Sequence, residues 1–378
     1  MPAMGICEWI AAGRAIAEGQ LTRYGTKAHF TDEVERELCQ LTGAKHALTV
    51  TSGTSALIAA LAAAGIGPGD EVLVPAYTWM ATAAAPVMVG AVPVLVDINE
   101  TLTIDPEDIE RKITPYTRAI IPVHMGNAPC DMDAIMAIAK KHGLIVIEDA
   151  CQAVGVRYKN QHLGAIGHLG AFSFNKMKNV NIGEGGAVLT NDDQFYARAR
   201  SYHDLGAMIR GHEERYNEPD FVGTNMKVTE IQSAMLQVQL HRVQPMLEQM
   251  QKRRALMASI LCQSDNFIVT PHNDNDHAVS LTILAPTREA AIGLLQQRGV
   301  WNRLHDCSRH IYTNWEPILT KRTFHPKMNP WKWAKREINY SPDMCARTLD
   351  ILERTCVVNV GLKYPSFIMQ KVAERIAA

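Results

Sequence analysis

Aromatic residues are scarce in this chain: Phe, Trp and Tyr together make up 6% of its 378 residues. Long apolar runs are missing too, and none approaches the roughly 18–20 residues of a membrane span. The formal net charge is only -1, so no global field draws the protein to nucleic acid or to an acidic membrane surface. The opening "MPAMGICEWIAAGR" lacks the basic-then-apolar layout of a secretory signal. The eight cysteines (Cys7, Cys39, Cys130, Cys151, Cys262, Cys307, Cys345 and Cys356) form no C-x-x-C pair, which leaves a zinc or thioredoxin-like site without support. Their scatter fits reduced thiols, so a cytoplasmic protein is expected. Internal repeats and low-complexity segments are absent as well.

What is present is ordinary globular composition, 47% hydrophobic and 20% charged, in a chain long enough for a large core and about two domains. From residue 45 to 190 one rhythm repeats, a short apolar strand and then a helix-length amphipathic stretch. The strands are "HALTV" (46–50), "EVLVP" (71–75), "PVLVDI" (93–98), "AIIPVH" (119–124), "GLIVIEDA" (143–150), "AFSF" (171–174) and "GAVLTN" (186–191). The helix "DMDAIMAIAKKHG" (131–143) opens on Asp and closes on Lys-Lys-His-Gly, matching the helix dipole at both ends. This pattern predicts an α/β fold with a mixed, mostly parallel sheet covered by helices. Residues 227–262 read as one long helical region that Pro245 is expected to kink or interrupt. The mixed strand and helix signals after it predict a smaller C-terminal α+β domain. The division expected is 1–240 for the large domain with its N-terminal arm, and 241–378 for the small one.

In such sheets ligands bind beyond the carboxyl ends of the strands. After the first strand comes "TSGTSAL", where Gly53 permits a tight turn and Thr54 and Ser55 offer hydroxyls at a helix start. Exposed backbone N–H groups there would cradle a phosphate, although a plain N-cap explains the same residues. "AYTWMAT" puts Trp79 in the next strand-to-helix turn, as a face for a flat ring or as a core residue. "LIVIEDACQA" ends a wholly apolar strand in two acids, which is costly unless they are paired. Asp149 suits a positive charge at the bottom of a pocket, with Gln152 three residues on. In "FSFNKMKNVNIGEGGAVL", Ser173 lies near a strand end, two lysines follow, and glycines let backbone pass close by. A lysine just beyond a buried strand is a candidate Schiff-base nucleophile, and two nearby lysines otherwise make a solvated loop. Phosphate cradle, aromatic plate, buried acid and strand-end lysine along one sheet edge together match one small molecule, pyridoxal 5'-phosphate.

The chain resembles the DegT/DnrJ/StrS family of sugar aminotransferases, of fold type I among pyridoxal phosphate enzymes. The resemblance runs from about Arg23 to Cys262, more loosely beyond, and rests on "TSGTSAL", "GDEVLVPAYTW", "VHMGNAPCDMDAI", "IEDACQA", "FSFNKMKN…GEGGAVLTND" and "KVTEIQSAML". It implies that Thr54, Ser55 and Ser173 hold the cofactor phosphate, Trp79 stacks on the ring, Asp149 pairs with the ring nitrogen and Gln152 contacts its 3'-hydroxyl side. Family spacing from Ser173 gives Lys178 as the Schiff-base lysine and leaves Lys176 out of register. It also implies a homodimer, with an asparagine of the partner subunit near the phosphate. Asn225, in "GTNMK", is the candidate, with Lys227 beside it and without the aromatics usual there. The implied activity is ping-pong transfer of an amino group from an amino acid, L-glutamate or L-glutamine, to a keto-sugar or related polyhydroxy carbonyl compound. Two alternatives stand beside it. A related sugar dehydratase would carry His in place of the lysine, and a non-catalytic pyridoxal phosphate-binding regulator would lack part of the catalytic set. The segment before Gly19 and the region 305–343, rich in His, Trp, Lys and Arg, depart from the family pattern. Arg23, Tyr24, His124, His305 and His310 are candidate substrate contacts.

Overall fold

The computed structural model describes residues 4–19, 21–23, 30–206 and 221–378. Tyr24 lies outside these described residues. Seven strands build the main sheet: β1 (His46–Val50), β2 (Glu71–Pro75), β3 (Val92–Val96), β4 (Thr117–Ile120), β5 (Ile145–Asp149), β8 (Leu169–Ser173) and β9 (Gly186–Thr190). A two-stranded ribbon, β6 (Arg157–Tyr158) and β7 (Gln161–His162), lies between β5 and β8 in the chain. The spatial order is β1-β9-β8-β5-β4-β2-β3. Neighbours pair in parallel from β3 through β8, while β9 runs antiparallel to both β8 and β1. All strands but β9 therefore end on one edge, and β9 starts there, with Gly186 opposite both Val50 and Ser173.

Every residue of β2, β3, β8 and β9 is buried, as expected for strands covered on both faces. The helix Gly53–Ala63 explains its own composition. Leu57, Ala59, Ala60, Leu61 and Ala63 are all buried, so it is apolar nearly all round and lies between the sheet and the helix Asp193–His203. The helix Met132–His142 is capped as its sequence predicts, by the Asp131 side chain at one end and a left-handed Gly143 at the other.

The long helix Glu230–Leu261 runs unbroken for 32 residues, and Pro245 sits inside it without interrupting it. The proline removes one backbone donor, but the packing of Leu240, Val243 and Leu247 into the main core holds both sides of it in place. Residue 240 lies mid-helix. Past it the chain forms a second sheet, order β10-β11-β13-β12, from β10 (Ile268–Val269), β11 (Thr282–Leu284), β12 (Val300–Arg303) and β13 (Thr355–Val358). Met257, Leu261, Ile283, Val358 and Ile376 form its separate core. The stretch from Ile311 to Leu352 packs elsewhere: Ile311, Tyr312, Trp315 and Ile351 share the core of the main sheet. No described helix is long and apolar enough to cross a membrane.

Candidate active site

Three strand-end turns meet at Gly53. A Cβ built there would stand 2.7 Å from both Cys151 Sγ, just past β5, and Ser173 Cβ, at the end of β8. Only a glycine allows that approach. Gly186 is constrained in the same way, since a Cβ would stand 2.4 Å from Ser52 O and 2.7 Å from Phe172 O. One glycine of the "GEGG" run thus serves contact between the start of β9 and the turn after β1, where the sequence suggested only room for a ligand.

Ser52 caps the helix Gly53–Ala63, its Oγ accepting from Ser55 N at 3.0 Å, and the Ser55 hydroxyl lies 2.9 Å from those of Thr51 and Ser52. The amides of Gly53 and Thr54 have no acceptor among the described residues, which leaves two orphan donors at the positive end of the helix. Thr54 is exposed and Ser55 half-buried. Ser173 is buried, and its Oγ accepts from Asn175 N at 3.4 Å.

Asp149 is 5% exposed at the end of β5. Its Oδ2 accepts a 2.7 Å hydrogen bond from Thr82 Oγ1, which lies 2.8 Å from Thr78 Oγ1, and its Oδ1 accepts from Cys151 N at 3.2 Å. No cation among the described residues pairs with it. Glu148, the other acid of that strand, is a different case. It accepts from the amides of Gly164, Ile166 and Gly167 at 2.6–2.8 Å and from His124 Nε2 at 2.9 Å. His124 is fully buried, and its Nδ1 accepts from Cys130 N at 3.1 Å. One ring nitrogen is thereby engaged by Glu148 and the other by the backbone ahead of the helix Met132–His142, so His124 is not available as the substrate contact expected from sequence.

Lys178 is half-buried and lines a cavity of about 750 Å³ between the main sheet and the second sheet, with Tyr77, Met125 and Leu304 among its neighbours, whereas Lys176 is exposed and does not reach it. Burial and the Asp149 carboxylate push the Cys151 thiol well above its usual range, and the Lys178 ammonium acts on it in the opposite sense. Burial, and then the same ammonium, lower the His310 pKa. Lys178 is thus in electrostatic reach of both groups.

Trp79 is 41% exposed, and its ring centroid lies 5.3 Å from that of His310 at a 55° tilt. His310 is held there because its carbonyl accepts from Thr78 N at 2.9 Å and Tyr312 N donates to Ala76 O at 3.0 Å. Part of the unusual region 305–343 therefore runs along the sheet edge that carries Asp149. His305 instead faces Glu353 and Asp306 at 3.7 and 3.8 Å. Arg23 is also committed elsewhere, forked onto Glu35 at 2.5 and 2.7 Å. Gln152 turns to the neighbouring loop, its Oε1 accepting from Gly126 N at 3.0 Å. Asn225 is exposed, and the next residue, Met226, accepts from Thr51 N at 2.8 Å beside the helix Gly53–Ala63. Sequence reading missed Thr82 and Ser52. Thr78 lies in the turn ahead of the helix Ala81–Met88 and Thr82 in its first turn, so only the fold brings the two hydroxyls together.

This sheet order and strand-edge site define a fold type I pyridoxal phosphate enzyme. A model of the DegT/DnrJ/EryC1/StrS aminotransferase family matches residues 8–350, and the chain belongs to that family. Similar solved structures include 3-amino-5-hydroxybenzoic acid (AHBA) synthase, 28% identical, TM-score 0.80, covering 100% of this chain and 96% of that one. An aminotransferase from Psychrobacter cryohalolentis is 27% identical, TM-score 0.80, over 99% of this chain and 96% of that one. DesV of S. venezuelae, in complex with a ketimine intermediate, is 28% identical, TM-score 0.75, over 98% and 94%. The chain is a pyridoxal phosphate-dependent aminotransferase. The residues present fit that cofactor: orphan amides at a glycine-lined helix start suit its phosphate, and a buried carboxylate without a cation suits its ring nitrogen.

Proposed function

We propose that the protein moves an amino group from an amino acid, L-glutamate or L-glutamine, to the carbonyl carbon of a keto-sugar or related polyhydroxy compound, with Lys178 as the catalytic lysine. One observation carries the assignment: of the two loop lysines, only Lys178 lines the cavity and acts electrostatically on Cys151, next to Asp149. The bound cofactor supplies an aldehyde carbon that bonds amines reversibly and a ring that accepts an electron pair.

The protein's own groups do the rest. The amides of Gly53 and Thr54 and the hydroxyls of Thr54, Ser55 and Ser173 bind the phosphate. Trp79 would cover one face of the ring, and Gln152 would hold its 3'-hydroxyl side. Asp149, steadied by Thr82, keeps a proton on the ring nitrogen. Lys178 Nζ, once released, takes the proton from the donor's α-carbon and returns one in the second half-reaction, acting in turn as base and acid. Two half-reactions at one site give ping-pong kinetics. Lysine at position 178 argues against the dehydratase reading, since such relatives carry His there. We take the active unit to be a homodimer in which Asn225 of the partner subunit completes the phosphate site. Exposed Ile6, Trp9, Ile10 and Ile16 on the helix Ile6–Ala17 support a further interface.

The test is to load the enzyme with amino donor, follow the cofactor spectrum, and add keto-sugars with and without a nucleotide. Return of the starting spectrum identifies the acceptor. No change with any amino donor would overturn the assignment.

A further inference from the structure

The cavity that carries Lys178 extends to a wall built by the helix Glu230–Leu261 and the second sheet. Met246, Met250 and Arg254 follow one another at four-residue spacing on that helix and all line the cavity, so they share a helix face. The methionines are ordinary lining, but the guanidinium is not. Arg254 is 8% exposed, its Nη2 donates to Asn275 Oδ1 at 3.1 Å, and its buried Nε has no acceptor. No carboxylate among the described residues pairs with it.

Arg23 holds Glu35 and Arg303 holds Asp306. Arg253 also lacks a carboxylate and has a buried Nε without an acceptor, but it donates to the Gly361 carbonyl and does not line the cavity, so Arg254 is the one such arginine that faces it among the described residues. His272 lines the same wall. Its Nδ1 accepts from Asp274 N at 3.2 Å, so the proton sits on Nε2, which is buried without an acceptor. Burial and then the Arg254 charge hold its pKa at about 4, leaving the ring neutral. Two N–H donors thus lack acceptors at one place, and a desolvated guanidinium lacks a counter-charge, which burial makes costly.

We infer that Arg254, with His272 beside it, forms an anion subsite that binds a carboxylate or phosphate group of a substrate whose reacting carbon lies at Lys178. A guanidinium offers a planar fork of donors suited to either group. The inference rests on reading the cavity as the substrate cleft. The anion belongs either to the amino donor or to the carbonyl acceptor.

The test uses the holoenzyme, with its phosphate cradle filled, and the variants Arg254→Gln and Arg254→Met. Thermal unfolding is followed in anion-poor buffer and during titration with glutarate, inorganic phosphate and pyrophosphate. At least one anion should raise the Tm of the wild type, and the shift should vanish in both variants. Arg254→Met should not lower the Tm in anion-poor buffer, because it removes an uncompensated buried charge. The two half-reactions are then measured separately. A rise in KM of at least about ten-fold in the donor half assigns the anion to the donor, and one in the acceptor half assigns it to the acceptor. Unchanged anion shifts in the variants, or unchanged KM in both halves, would overturn the subsite. Lys178→Ala keeps Arg254 and should keep the anion shift without turnover. An Arg254-dependent shift in a wild type that shows no half-reaction would therefore sink the aminotransfer reading and spare the subsite.

Discussion

Thr82 Oγ1 donates a 2.7 Å hydrogen bond to Asp149 Oδ2, and Thr78 stands 2.8 Å behind it. With its one proton donated to Asp149, Thr82 can only accept from Thr78, so the two hydroxyls form a directed chain ending on the carboxylate. The chain fixes the acid's orientation without neutralising its charge. Thr82→Val removes the donor at nearly constant volume. A buried hydrogen bond to a charged group is worth about 1.5–3 kcal/mol, so cofactor affinity should fall roughly ten- to a hundred-fold. Equilibrium dialysis of the cofactor measures this, and wild-type affinity in Thr82→Val would remove the proposed role.

Lys178→Ala should abolish transamination while circular dichroism and thermal unfolding report a folded protein. Lys176→Ala, at an exposed position, should keep near-wild-type turnover. Borohydride reduction of the holoenzyme followed by peptide mapping should find the cofactor on Lys178. A label on Lys176 would show that the register counted from Ser173 is wrong.

The sheet was legible in the sequence because its strands are short, apolar and separated by amphipathic helices, a pattern set by burial on both faces. The strand-end residues Trp79, Asp149 and Lys178 were legible because chemistry at a carboxyl edge interrupts that pattern. Partnership was not. Glu148 and Asp149 are adjacent and look alike in sequence, yet one is consumed by three amides and His124 while the other faces the site. Which acid does which depends on a loop some 15 residues later, through the amides of Gly164, Ile166 and Gly167. Pro245 does not interrupt its helix for a related reason: local propensity favours a break, and packing along a 32-residue helix overrides it. Arg254 follows a run of Lys and Arg that reads as a solvated face, and only the fold turns it inward.

Gly53→Ala tests the meeting point of the three turns. The added Cβ would stand 2.7 Å from Cys151 Sγ and Ser173 Cβ, neither of which is the far end of a flexible side chain. Relief requires the helix start to move away from β5 and β8, at a cost of about 1–3 kcal/mol. Since that shift moves the orphan amides, cofactor affinity should fall by more than the loss in apoenzyme stability accounts for. Equal losses in the two measurements would make Gly53 a packing residue only.

Acid should destabilise the protein through buried imidazoles. Burial lowers the pKa of His203 to about 3 and of His162 and His272 to about 4. In the unfolded chain each titrates near 6.5. Between those values the unfolded state binds protons that the folded state refuses, so the stability these three histidines contribute is level above about pH 7 and falls as pH drops through 6.5 toward 4. Each group contributes a slope of up to about 1.4 kcal/mol per pH unit. His203 is the clearest case: its Nδ1 donates to Arg200 O at 2.5 Å, and its buried Nε2 has no acceptor for a second proton. Denaturant midpoints between pH 6.5 and 5 should fall less steeply in His203→Gln than in the wild type. Parallel slopes would mean that His203 does not titrate in this window.

The shared-site reading makes a stricter demand on the assembly. Lys178→Ala and Asn225→Ala homodimers should each be impaired, the first completely. In a mixed dimer, one site pairs the intact Lys178 of one chain with the intact Asn225 of the other, and the second site carries both defects. Co-expression with two different affinity tags isolates that hybrid. With the Asn225→Ala homodimer below half of wild-type turnover, the hybrid should exceed it, approaching half of the wild-type value per dimer if the two sites act independently. If Asn225 serves the site of its own chain, the hybrid contains one site lacking the lysine and one lacking the asparagine, and its activity cannot exceed half that of the Asn225→Ala dimer. The two arrangements therefore place the hybrid on opposite sides of the Asn225→Ala homodimer.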